Sequence, residues 1–266
     1  MELKDNLGKM RCEYTSPVSY FLALEDKEVF MNSLLEKNIT IKYTGVINCI
    51  ACGRKIKKAF GQGFCYPCFM NSPLNSECIL KPELCQAHEG GGRDPEWEEI
   101  NHNKPHYVYL ALTSGIKVGV TREDQIPTRW IDQGAWKAVK LAYVPFRKIA
   151  GLIEINLKMH MADKTNWQKM LKNEMDLAAD ILVEKKKVSG LLDEDYLEYL
   201  LSNENEVYTF EYPVLNYPEK VYSINLDKDP AIQGKLSGIR GQYLIFEDNR
   251  VINIRKFSGY EVIMNF

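Results

Sequence analysis

Apolar and polar positions change their period several times along the chain, and those changes divide it. Residues 18–24 and 39–46 alternate as strands do, with a helical spacing of Val29, Phe30, Leu34 and Leu35 between them. Residues 1–48 therefore read as a small, β-rich lead-in. From Cys49 to about Lys104 periodic apolar residues thin out, and cysteine, glycine and proline take over. Such a stretch cannot build a core from its own side chains and needs a staple. From Pro105 to about Gly190 strands precede helices. Residues 167–187 read as one helix whose Leu171, Met175, Ala178 and Leu182 form an apolar packing stripe. Acidic, loop-prone residues 191–206 lead to a tail, 207–266, where alternating segments at 242–246 and 250–255 flank the turn Glu247, Asp248, Asn249. The tail reads as a small barrel or sandwich cornered by Gly234, Gly238, Gly241 and Gly259, with Arg240, Arg255 and Lys256 as surface cations.

The most regular stretch is 106–121. Val108, Leu110 and Leu112 alternate with Tyr107, Tyr109 and Ala111, and Thr113, Ser114 and Gly115 then link to a second alternating segment. A three-residue hairpin loop with Gly115 left-handed sets Leu112 opposite Ile116, Leu110 opposite Val118 and Val108 opposite Val120. That face is wholly apolar and belongs to the core. The other carries Tyr107, Tyr109 and Ala111 opposite Thr121, Gly119 and Lys117. Gly119 has no side chain, so space remains beside the Tyr109 phenol, with Lys117 one pair along, and such a face could receive a substrate. Pro127 opens a helix on which Arg129, Asp132 and Gln133 share a side. Ile149, Leu152, Ile153 and Leu157 stripe a later helix, with Glu154 off centre. Residues 163–167 form a polar loop in which Asp163 or Asn166 caps the next helix.

Composition narrows the class. The chain has 266 residues, 45% hydrophobic and 26% charged, and no apolar run near the ~18 residues of a membrane span. The first ten residues lack the apolar stretch of a secretory peptide, so a cytoplasmic protein with no membrane partner is expected. In a reducing compartment the seven cysteines are metal ligands or buried thiols rather than disulfides. Cys49 and Cys52, then Cys65 and Cys68, form two CxxC knuckles, and four thiolates at that spacing suit a structural zinc ion. A redox dithiol would explain one knuckle but not two. Between them lie Arg54, Lys55, Lys57 and Lys58 with Phe60 and Phe64, a mixture that suits phosphate contact and base stacking; the competing reading is a solvated loop. Further on, Cys78, Cys85, His88 and His102 form a second candidate zinc set, with His106 as an alternative ligand, against a reading of buried thiols and surface histidines. Cys12 reads as a buried small residue. The net charge is only −2, yet residues 49–70 hold four cations and no acid, and 105–170 hold ten cations to five acids. Such blocks attract polyanions locally.

The order Val108-Tyr109, Lys117-Val118-Gly119, Arg129, Glu154 and Asn166 resembles the GIY-YIG nuclease superfamily over roughly residues 105–170. More narrowly, the zinc knuckles and the phrase TRWIDQG at 128–134 are similar to an uncharacterised bacterial domain family. The superfamily resemblance implies that Tyr109 is a general base, that Arg129 steadies the phosphate, that Glu154 holds one catalytic Mg²⁺ or Mn²⁺ and that Asn166 is a late polar site residue. Lys117 departs from the tyrosine that normally opens the second motif, and Gln133 from a frequent histidine. A nearby cation favours phenolate, so Lys117 could stand in for that tyrosine.

The expectation is an α+β chain: a zinc-ribbon N-terminal region, a small GIY-YIG-like mixed sheet with flanking helices, and a mostly β C-terminal region. Its domains are 1–48, 49–104 (ribbon 49–70, second Cys/His set 78–102), 105–190 and 207–266. The expected activity is divalent-metal-dependent hydrolysis of DNA or RNA, with Arg54, Lys55, Lys57, Lys58, Tyr107 and Gln133 on the polymer. The competing expectations are a catalytically silent nucleic-acid-binding or regulatory protein and a zinc-dependent protein-interaction adaptor.

Overall fold

A computed structural model describes residues 1–161, 164–175 and 179–266 as an α+β fold in two units. The first unit comprises residues 1–70, 171–173 and 210–266, and the second 71–170 and 174–209. No helix among the described residues is long and apolar enough to cross a membrane.

In the first unit the strand Asn38–Asn48 buries Ile39, Ile41 and Ile47. It pairs antiparallel with Tyr260–Asn265 on one edge and Ala231–Arg240 on the other. Glu2–Asn6 continues the sheet beyond Tyr260–Asn265, while Tyr243–Phe246, Arg250–Asn253 and Tyr222–Ser223 extend it beyond Ala231–Arg240. The expected lead-in and tail domains therefore share these seven strands of one sheet, because strands from both chain ends complete each other's hydrogen bonding, and Lys55–Ile56, pairing with Ile47 and Asn48, is its eighth. Arg11–Glu13, Ser19–Leu24 and Lys27–Phe30 form a smaller antiparallel sheet. The helical spacing at 29–35 proves misleading: Val29 and Phe30 pair across a strand with Leu22 and Phe21, and only a 3-10 turn, Met31–Leu34, follows. Two of the supposed surface cations are engaged. Arg240 is fully buried over the Tyr212 ring at 5.0 Å and donates to Asn173 Oδ1 at 2.9 Å, and Arg255 donates to Gln62 Oε1 at 2.9 Å.

The second unit is built on an antiparallel sheet in the order Val207–Thr209, Lys137–Val144, His106–Leu112, Ile116–Arg122. The hairpin has the expected register at every pair, Tyr109 opposite Gly119 included. Gly115, however, does not take the left-handed conformation; the turn closes through Thr113 N–H to the Gly115 carbonyl at 3.1 Å. The long helix Arg147–Lys158 places Ala150, Ile153 and Leu157 against Val108, Leu110, Val118 and Leu141. The expected helix over 167–187 is two, Trp167–Leu171 and Ile181–Ser189, because the Asp180 carboxylate accepts from the Leu182 and Val183 amides at 2.8 and 3.2 Å and starts a new helix there. Leu171 is buried, Leu182 is exposed, and Ala178 lies outside the described residues, as does Asp163. Two further boundaries move: residues 71–104 belong to this unit rather than with the ribbon, and Val207–Thr209 is its edge strand rather than part of a C-terminal domain.

Candidate functional site

Three clusters hold most of the residues that the sequence singles out. In the first unit Cys49, Cys52, Cys65 and Cys68 bring their sulfurs within 4.8 Å of one another. Tetrahedral bonds of about 2.3 Å separate two sulfurs by about 3.8 Å, and Cys52 Sγ lies 3.8 Å from Cys65 Sγ. The cluster is compatible with a structural zinc ion. Hydrogen bonds within the knuckle, Gly53 N–H to the Cys49 carbonyl and Cys49 N–H to the Arg54 carbonyl, hold the turn. Burial pushes the Cys49 thiol up, but backbone hydrogen bonds at Cys65, Ala51 and Cys52 outweigh it and bring it down to about 6, toward the thiolate a metal needs. The Arg54 backbone favours the Cys52 thiolate, and the Arg54 side chain hydrogen-bonds Cys52, so this arginine offsets thiolate charge. Lys55, Lys57 and Lys58 are exposed beside it.

The second cluster surrounds Tyr109. Its hydroxyl donates to Gln133 Oε1 at 3.1 Å, and its ring meets Trp130 edge-on at 5.7 Å. Trp130 and Arg129 come from the short helix Thr128–Asp132, and Gln133 caps it. Burial raises the Tyr109 pKa above its ordinary value; Arg129, by charge and hydrogen bonding, and Gln133 pull it down, while the Glu154 carboxylate pushes it up. Arg129, Gln133 and Glu154 thus all act on one hydroxyl. The face expected to be open is closed, since Tyr109 is fully buried. Arg129, not Lys117, is the cation with the largest effect on this phenol; Lys117 is itself buried, paired with Ala111. Glu154 is buried and bridges to Lys158 at 3.3 Å. Asn166 is not brought to this point: its carbonyl oxygen Oδ1 accepts from the Lys169 amide at 3.1 Å as a helix cap, and its own amide donates to Ser114 Oγ at the hairpin turn. Tyr107 is half-buried against Tyr143, with Lys140 Nζ 4.9 Å above its ring.

Gly119 makes this packing possible, because a Cβ there would lie 2.6 Å from the Tyr109 hydroxyl. Gly119→Ala should destabilise the second unit by roughly 1–3 kcal/mol through overpacking. A denaturant midpoint equal to the parent's would show that the phenol has room to move.

The third cluster joins Cys78, Cys85, Glu98 and His102, all buried, with ligand atoms within 4.8 Å of one another. Cys78 Sγ lies 3.6 Å from His102 Nδ1 and 3.8 Å from Glu98 Oε2, and Glu98 Oε2 also touches His102 Nδ1. Hydrogen bonding from Cys78 pulls the Cys85 thiol down, burial pushes it up, and His102 pulls it down again, leaving Cys85 on the thiolate side. Glu98 takes the place expected for His88, which instead stacks on Phe146 at 4.4 Å and pairs with Glu89 at 3.2 Å. The reason is helical: Glu98 and His102 are four apart on Pro95–His102, hence on one side of it.

His106 does not join this cluster. Its Nδ1 donates to the Lys104 carbonyl at 2.7 Å, and burial holds its pKa down at about 3 despite that bond. The folded state therefore refuses a proton that the unfolded chain accepts below about pH 6.5, so stability is unaffected above that pH and falls by up to about 1.4 kcal/mol per pH unit below it, until about pH 3. His106→Gln should flatten this part of the acid limb in unfolding curves taken between pH 7 and 5; an unchanged slope would mean that the ring titrates normally.

Arg147 is the residue that motif reasoning missed. It is half-buried at the start of the long helix, donates to the Cys78 carbonyl from Nε and Nη2 at 3.0 and 2.9 Å, and feels the charges of Cys78, Cys85, Arg129 and Glu154. No spacing in the sequence marks it. No curated protein and no solved structure matches the chain. Residues 36–262 match the family described as Protein of unknown function (DUF2797), and the chain belongs to that family.

Proposed function

We propose that the protein is a divalent-metal-dependent nuclease that hydrolyses phosphodiester bonds in DNA or RNA, with its second unit as a GIY-YIG-like catalytic part. One observation carries the reading: Arg129, Gln133 and Glu154, from two separate helical segments, all act on the hydroxyl of a tyrosine in the first strand of the hairpin. With its pKa raised, the phenol is neutral at ordinary pH and donates to Gln133. Arrival of a phosphate and water relieves the desolvation that dominates its pKa, and the attraction of Arg129 for phenolate remains. Tyr109 first gives its own proton to the entering solvent and then, as phenolate, takes the proton of the attacking water, while the fixed N–H groups of Arg129 hold phosphate oxygens. Glu154 is a single carboxylate, which suits a cation that takes its other ligands from substrate phosphates; such an ion would offset charge on the leaving oxygen. In the first unit, a zinc ion in the cysteine cluster would brace the hairpin that presents Lys55, Lys57 and Lys58 to a polyanion.

Incubation of the full chain with labelled DNA and RNA and Mg²⁺ or Mn²⁺ tests the reading. Cleavage is expected, and loss of the phosphate-holding cation in Arg129→Ala should slow it by about 100-fold or more. A second reading is favoured by the complete burial of Tyr109: a catalytically silent zinc protein that binds nucleic acid. It predicts salt-sensitive binding that survives Glu154→Ala, with no cleavage under any metal.

A further inference from the structure

Residues 71–104 pose a question of stability that the Tyr109 cluster does not answer. They contain four 3-10 turns, at Pro73–Asn75, Glu77–Ile79, Pro82–Leu84 and Ala87–Glu89, and the helix Pro95–His102. Their own buried cluster consists of Cys78, Cys85 and Ala87, far too little apolar surface to order a segment of this length. We propose that Cys78, Cys85, Glu98 and His102 hold a second zinc ion, which ties residues 71–104 together around itself.

Geometry supports the assignment. Bonds of about 2.3 Å to sulfur, 2.05 Å to nitrogen and 2.1 Å to oxygen, set tetrahedrally, place sulfur about 3.6 Å from either partner. The observed separations from Cys78 Sγ are 3.6 Å to His102 Nδ1 and 3.8 Å to Glu98 Oε2. The surroundings are those of a built site. Ser76 Oγ donates to Glu98 Oε1 at 2.7 Å, and the Trp97 ring meets His102 edge-on at 5.1 Å; Glu98 Oε2 lies against His102 Nδ1, and the ion would replace that hydrogen bond by parting the two atoms to about 3.4 Å. A cleft lined by Ser76, Cys78, Gly92 and Glu98 gives a way in.

Charge also balances. Two thiolates, one carboxylate and a neutral imidazole around Zn²⁺ sum to one negative charge, and the half-buried Arg147, bonded to the Cys78 carbonyl, supplies the matching positive one. Mixed sulfur, nitrogen and oxygen donors in a tetrahedron suit zinc, and four protein ligands leave no open position for substrate, so the ion is structural. Its place is significant because Arg147, which grips the Cys78 carbonyl, opens the long helix that also bears Glu154.

The test uses the full chain, reconstituted with zinc and dialysed, and reads metal content and X-ray absorption rather than activity, so its result is independent of the nuclease reading. Two zinc ions per chain are expected, with a mean of three sulfurs and one nitrogen or oxygen per ion. Cys85→Ser should lower the content to one ion bound by sulfur alone. His102→Cys keeps four ligands; it should retain two ions and raise the sulfur count, which serves if Cys85→Ser does not fold. Ser76→Ala should release its ion to a chelator about 10- to 100-fold more readily. A parent chain with one zinc, all-sulfur in coordination, would overturn the proposal and leave Glu98 and His102 as a buried polar pair between two thiols.

Discussion

A Gly151→Val protein is expected to lose about 3 kcal/mol or more of stability. Glycine inside a helix costs about 1 kcal/mol relative to alanine, so its presence in the middle of Arg147–Lys158 calls for a compensating gain. The gain is close approach. A Cβ at position 151 would lie 2.1 Å from the Glu83 amide nitrogen and 2.4 Å from the Pro82 carbonyl carbon, and backbone atoms cannot swing aside as a side-chain tip can. The helix would have to back away from Pro82–Leu84, next to Cys85, and so disturb the third cluster. At about 2–4 °C per kcal/mol for a domain of this size, the thermal midpoint should fall by roughly 6–12 °C. Gly190→Ala is the control: its Cβ would meet nothing closer than the Lys187 carbonyl at 3.5 Å, and its backbone is already right-handed helical, so stability should hold or rise slightly. Equal midpoints for Gly151→Val and the parent would contradict this packing.

Cys65→Ala should have a still larger local effect. Cys65 is buried in the four-sulfur cluster, and structural zinc contributes about 10–16 kcal/mol of apparent binding energy in isolated zinc-finger peptides. Residues 49–68 have little else beyond the two-residue strand Lys55–Ile56 and a single bridge between Phe60 and Phe64. The variant should lose one zinc per chain and become cleavable by protease between residues 50 and 64. The strand Asn38–Asn48 should resist, because Tyr260–Asn265 and Ala231–Arg240 hold it from both sides. Unchanged zinc content and unchanged digestion would show that the ribbon stands without its metal.

What the sequence revealed and concealed follows from the range of each interaction. The 106–122 hairpin was legible because a period of two and a three-residue link leave one register that buries Val108, Leu110 and Val118 together. The ribbon cysteines were legible because zinc demands four close thiolates and two knuckles provide them. The pairing of Glu2–Asn6 with Tyr260–Asn265 was not: alternation shows that a strand has a face to bury, without naming the distant strand that will cover it. Nor does alternation say that both faces of a hairpin are covered, and Tyr109 is sealed by Trp130 and Gln133 from a helix of only five residues. Glu98 is not marked by cysteine and histidine spacing; its four-residue spacing to His102, on a helix opened by Asp94 and Pro95, is the signal that the sequence carries.

Cleavage of an end-labelled polynucleotide, followed for the parent, Tyr109→Phe and Glu154→Ala proteins with and without Mg²⁺ or Mn²⁺, bears most directly on the proposed chemistry. Metal-dependent cutting by the parent, abolished by either substitution while the fold persists, is the predicted result. Cutting that continues in both variants, or a folded, zinc-loaded parent that binds the polymer and never cuts it, would contradict the account.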